Sequence, residues 1–177
     1  VIVDSAVYRG GTRLSVDCPA HDYARLRARA REDGGFVWIG LHQPSQDELS
    51  DVAAAFGLHE LAVEDAFKAH QRPKVETYDD HLFLILKTLW YVDADDAVET
   101  GEISLFVGHD FVITVRHGEG SSLHDARAFL ERSADLLTHG PSAVVYAVSD
   151  HVVDAYADVV AALEEDVDEV EESVLSP

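Results

Sequence analysis

Methionine is absent from the 177 residues, although a translated chain begins with one. The chain is therefore expected to be a processed product or a piece of a longer protein. Cysteine occurs once, at Cys18, which excludes an internal disulfide and fits a reducing cytoplasm. Basic residues are scarce: 13 Lys and Arg stand against 34 Asp and Glu, a formal charge of −21. Phosphate backbones require basic surface, so nucleic acid is not an expected partner. Cations, metal ions above all, are favoured, and solubility or salt adaptation accounts for the acidity equally well. No stretch holds about 18 uninterrupted apolar residues, so no membrane-spanning helix is expected within the chain. The N-terminus lacks the basic start and apolar run of a secretory signal. HExxH, paired CxxC, GxSxG and a Gly-rich phosphate loop are all missing, and Gly118-Glu119-Gly120 is too short to cradle a phosphate. The chain is not read as an enzyme.

What is present organises around Leu58 to Val92. Leu58, Leu61, Ala62, Ala66 and Ala69 recur at helical spacing, while Glu64, Asp65 and Lys68 fall on the other side. Pro73 is expected to end this helix, since its ring forbids the hydrogen bond and extends Arg72. Leu82 to Leu86 is an unbroken apolar run, as in a strand covered on both faces. Glu64 and Asp65 thus form an acidic pair on a helix beside a buried sheet.

Upstream, Val1 to Tyr8 and Thr12 to Val16 read as strands joined at Gly10-Gly11. Ala20 to Glu32 reads as a helix with Tyr23, Leu26 and Ala30 inward; its row Arg25, Arg27, Arg29 and Arg31 suits a solvated face, with an acidic neighbour in the chain as the second account. Gly34-Gly35 stops it, and Phe36 to Leu41 is a short buried strand. Ser45 with Glu48 forms a capping box for a helix ending at Gly57. Downstream, Asp93 to Thr100 is an acidic turn, Glu102 to Val107 and Phe111 to Val115 are strands, and Ser121 or Ser122 opens a helix to about Leu137, broken at Gly140-Pro141.

From Ser142 to Leu175, Val145, Val148, Val152, Tyr156, Val159, Leu163, Val167, Val170 and Val174 keep steps of three and four. A helix of that length reaches roughly 50 Å, so part of the stripe must project or find a partner helix. Ten Asp and Glu line it, and neither Lys nor Arg follows Arg132, so its polar face repels itself. Asp150, Asp154 and Asp158 form an i, i+4 ladder. Spacing alone favours a solvated face; the sharper reading is a hard-cation site, since Mg²⁺ needs only one or two carboxylates and keeps its waters. His151 and Asp154 are read as a surface pair. Ser176-Pro177 reads as a turn. The expected architecture is α/β: a mixed β-sheet sandwiched between helices (α/β/α), residues 1–141, with a long acidic helix over 142–177 packing on the same domain.

The run His70-Gln71-Arg72-Pro73-Lys74-Val75-Glu76, preceded by Glu64-Asp65, resembles the cytoplasmic domain of the CorA family of magnesium/cobalt channels. The likeness extends through the following strand, the strand pair Glu102 to Val115 with Thr114, and Ser149 to Glu172. It implies a homo-pentamer at the cytoplasmic face of the membrane. A stalk helix, two membrane helices and a Gly-Met-Asn pore loop would follow this chain. It also implies regulatory Mg²⁺, with Co²⁺ or another divalent ion possible, bound between neighbouring subunits. By position Glu64 and Asp65 match the acidic pair of those sites and Asp150 a further contributor, the opposing aspartate lying on the later stalk helix. The alternatives are a related zinc transporter and a stand-alone acidic domain that binds a partner helix.

Overall fold

The computed structural model describes residues 1–16, 22–32, 34–119 and 122–175. Cys18, the expected helix start at Ala20, the alternative cap Ser121 and the turn Ser176-Pro177 lie outside the described residues. The strands are β1 (Ile2–Arg9), β2 (Thr12–Leu14), β3 (Phe36–His42), β4 (Lys74–Thr77), β5 (His81–Val92), β6 (Ala97–Gly108) and β7 (Phe111–His117). The helices are α1 (Tyr23–Glu32), α2 (Gln46–Phe56), α3 (Glu60–Lys68), α4 (His124–Arg132), α5 (Ala134–Leu137) and α6 (Pro141–Leu175). The strands form one sheet in the order β2-β1-β3-β7-β6-β5-β4. β3 and β7 run parallel and the other neighbours antiparallel, so the sheet is mixed.

The pleat divides the core in two. Val37, Ile39, Leu41, Phe83, Phe106 and Ile113 point to one face, where Tyr23, Leu26, Leu49, Val52, Phe56, Ala62 and Ala66 of α1, α2 and α3 cover them. Phe36, Trp38, Leu105 and Val112 point to the other, under Leu130 of α4, Leu137 of α5 and Val144, Val148 and Val152 of α6. Alternating side chains along doubly covered strands produce this α/β/α sandwich. The β1–β2 turn uses Gly10 and Gly11 at φ 54° and 80°. Gly11 also admits α5, since a Cβ there would lie 2.4 Å from the Ala134 carbonyl oxygen. The Ser45–Glu48 capping box forms in full and Gly57 closes α2 in the left-handed conformation.

Several expectations are corrected. α3 ends at Lys68, well before Pro73, because Ala69 and His70 take φ 53° and 60° and the Gln71 N–H turns to Glu102 Oε2 at 2.9 Å. β6 begins at Ala97, because the β5–β6 ladder continues to Val92–Ala97 and leaves only Asp93 to Asp96 for the acidic turn. The helix after Ser122 breaks at Ser133, whose φ −110° and ψ 66° are not helical. The arginine row of α1 is not simply solvated: Asp110, 7% exposed, accepts from Arg27 Nε at 3.0 Å and from Arg31 Nε, while the Arg27 guanidinium lies over Phe56 and Phe111.

α6 runs 35 residues, about 52 Å. Its first half is seated: Val148, Val152 and Val159 are buried, each contributing about 1.5 kcal/mol or more. Tyr156 donates its hydroxyl to the Lys87 carbonyl, and Tyr91 donates to Asp166 Oδ2 at 2.7 Å, both tying α6 to β5. Beyond Val159 the stripe emerges, with Leu163 42%, Val167 57% and Val174 75% exposed.

Candidate divalent-cation site on two acidic helices

α3 is set by its apolar face. Ala62 and Ala66 are fully buried against the sheet, small enough to bring the helix close, and His59 caps it by accepting the Leu61 N–H on Nδ1 at 3.2 Å. With those positions inward, Glu64 and Asp65 stand at the outer flank. Glu64 accepts from Lys68 one turn on, both side chains being more than half exposed. Asp65 Oδ2 accepts from Lys74 Nζ at 2.7 Å, with the two side chains 27% and 29% exposed. Lys74 also reaches Glu76 Oε1 at 2.9 Å and lies 5.8 Å from the Phe83 ring centre. Hydrogen bonds donated to Asp65 and then Glu76 hold the Lys74 ammonium above its ordinary value. The Lys74 hydrogen bond, then that of Tyr78, holds Glu76 below the usual carboxylate range.

The donors are hard oxygens, which suit Mg²⁺ better than a soft metal. Each of the two carboxylates already has an ammonium partner, so a cation would have to displace that partner to reach them. Asp150 stands apart from them. It is exposed on α6, which packs on the face of the sheet opposite to α3. Asp154 and Asp158 of the ladder are exposed along the same helix. Among the described residues no three His, Cys, Asp or Glu converge to hold a metal. One copy of the chain therefore presents Glu64–Asp65 and Asp150 on two different sides.

The Glu64–Lys68 pair was open to sequence reading from its i, i+4 spacing. Lys74 as the partner of Asp65 was not, since it depends on the tight turn at Ala69–His70. Glu102 is the other residue the spacing conceals. It is 2% exposed and its Oε2 accepts from both Lys87 Nζ at 2.8 Å and the Gln71 N–H, which fixes the turn between α3 and Lys74.

Residues 33–177 match the model of a family described as CorA-like Mg²⁺ transporter protein. The chain is 33% identical over 141 residues to YfjQ of Bacillus subtilis, named for metal ion transport, covering 80% of this chain and 43% of that one. It is 27% identical over 149 residues to the cobalt/magnesium transport protein CorA of Thermotoga maritima, covering 82% and 42%. The chain thus spans less than half the length of these relatives. The soluble domain of CorA from Methanocaldococcus jannaschii has the same fold, with a TM-score of 0.65 at 16% identity over 99% of this chain and 66% of that one.

Proposed function

The chain belongs to the family of CorA-like Mg²⁺ transporter proteins, and on that premise we propose that it is the cytoplasmic regulatory domain of a magnesium/cobalt channel, sensing divalent cations and gating the pore. Both named relatives are transport proteins by name, and no described helix here is long and apolar enough to cross a membrane. Conduction in this reading belongs to membrane helices that follow the stalk.

One observation carries the sensing role. Glu64 and Asp65 lie on one side of the sheet and Asp150 on the other. Copies in a ring meet through opposite sides, so the carboxylates of adjacent copies come together where those within a copy cannot. At about 4 Å two such charges repel by roughly 4 kcal/mol at an effective dielectric near 20. With Mg²⁺ present, the carboxylates of neighbouring copies share a cation and the interface holds; without it, Asp65 returns to Lys74, Glu64 returns to Lys68, and the interface loosens. The closed population grows only as far as the carboxylates bind the ion better in that state.

Asp65→Lys in the full-length protein tests this. Inhibition of transport by internal Mg²⁺ is expected to weaken in that variant, and an unchanged Mg²⁺ dependence overturns the reading. Titration of the full-length protein with Mg²⁺ and Co²⁺ is expected to raise its melting temperature, since the ion binds the folded assembly.

A further inference from the structure

The sheet face that carries α4 holds a cavity that the sensing role does not use. It measures about 210 Å³ and lies where β1, β3 and β7 meet the start of α4. Arg116 and Arg127 both line it, together with Thr114, Ser122, His124 and Asp4. Two guanidiniums on one small cavity are conspicuous in a chain with 13 Lys and Arg. Arg127 is 9% exposed and firmly oriented: its guanidinium stacks 3.8 Å over Trp38, and Nη1 donates to the Tyr8 hydroxyl at 2.8 Å. Asp4 lies 3.4 Å from Arg127 but is also held by Arg13 at 2.9 Å, so its one charge is divided. Partial burial pushes the Arg116 guanidinium below its ordinary value.

Gly40 is an independent observation. It sits inside β3, paired on both sides, where glycine costs roughly 0.5–1 kcal/mol relative to alanine and often marks the approach of a ligand. Packing does not demand it. A Cβ on Gly40 would lie 3.7 Å from Thr114 Oγ1 and 3.9 Å from Arg127 Nη2, ordinary contact distances. At Gly35, by contrast, a Cβ would lie 2.1 Å from the Tyr8 carbonyl oxygen. What the missing side chain at Gly40 does is keep the cavity open between a hydroxyl and an oriented guanidinium edge.

We propose that this cavity binds a small oxyanion, a phosphoryl group, through Arg116 and Arg127, with the Thr114 and Ser122 hydroxyls beside it. Guanidinium forks match tetrahedral oxyanions in shape and charge, and partial burial strengthens the pairing. The phosphoryl group has two possible sources, free inorganic phosphate and the end of a nucleotide. The test titrates the chain with inorganic phosphate and, separately, with metal-free ATP at constant ionic strength in sodium chloride, following melting temperature and phosphorus NMR linewidth. Binding of both anions makes the phosphoryl group sufficient, and binding of ATP alone makes the nucleotide the source; either supports the site. Gly40→Val, which fills the opening, and Arg116→Gln, which removes one fork, are each expected to weaken binding at least tenfold. Neither anion binding beyond the chloride control overturns the proposal, as does undiminished affinity in Arg116→Gln, a variant that stands even where Gly40→Val misfolds.

Discussion

Asp65 Oδ2 and Lys74 Nζ lie 2.7 Å apart across the turn that closes α3. The proposed cation and the lysine therefore compete for one carboxylate. Lys74→Gln removes the competitor without touching the donor. In the full-length protein the Mg²⁺ concentration for half-inhibition is expected to fall about fivefold, equivalent to about 1 kcal/mol for a partly exposed pair. Lys68→Gln, acting on the more exposed Glu64 pair, should shift it less. A midpoint that stays put, or rises, in Lys74→Gln contradicts the exchange.

Asp110 contributes to the acid limb of stability. Its burial raises the carboxyl, but the hydrogen bonds from Arg27 and Arg31 outweigh this and leave it below the usual carboxylate range. A carboxyl lowered by folding adds stability that is complete above its unfolded value, about 3.9, and is lost as pH falls through the lower folded value. Melting temperature should therefore decline below about pH 4. Asp110→Asn should flatten that decline and cost about 3 kcal/mol at pH 7, since it strands the partly buried Arg27. Thermal melts from pH 7 down to the acid range measure both.

Glu102 holds the turn that carries Lys74. Glu102→Ala leaves the Lys87 ammonium and the Gln71 N–H without their acceptor, and should cost about 3 kcal/mol or more in urea unfolding. A loss under 1 kcal/mol would show that water replaces the carboxylate.

Much of this was legible in the residues. The buried strand β3, the Ser45–Glu48 box and the inward face of α1 are local patterns, and local patterns read at short range. The family resemblance rests on His70 to Glu76, which follows directly on the positive-φ residue Ala69. What could not be read depends on distant partners. Asp110 meets Arg27 83 residues away, and Glu102 meets Gln71 31 residues away. The early end of α3 belongs to that second contact, because Gln71 turns inward to a buried acceptor before Pro73 can act. Glu64, Asp65 and Asp150 were named from resemblance; their places on opposite sides of the sheet come only from the topology.

The two halves of α6 should behave differently. Removing residues 169–175, all exposed, should leave the melting temperature within about 2 °C of the parent, since no buried area is lost. Tyr156→Phe removes the bond to the Lys87 carbonyl and should cost about 1 kcal/mol. A large loss on truncation would mean the distal turns support the domain itself.

The overhang of α6 also acts mechanically. From Val167 to Leu175 it extends about 14 Å past the Tyr91–Asp166 tie. A tilt of about 10° at that fulcrum displaces the tip by roughly 2 Å, the scale of helix shifts that accompany switching. A rigid cantilever of this kind magnifies small slippage at its clamp, and the clamp is β5, the strand that also carries Lys87 and hence the Glu102 anchorage of the loop beside Asp65.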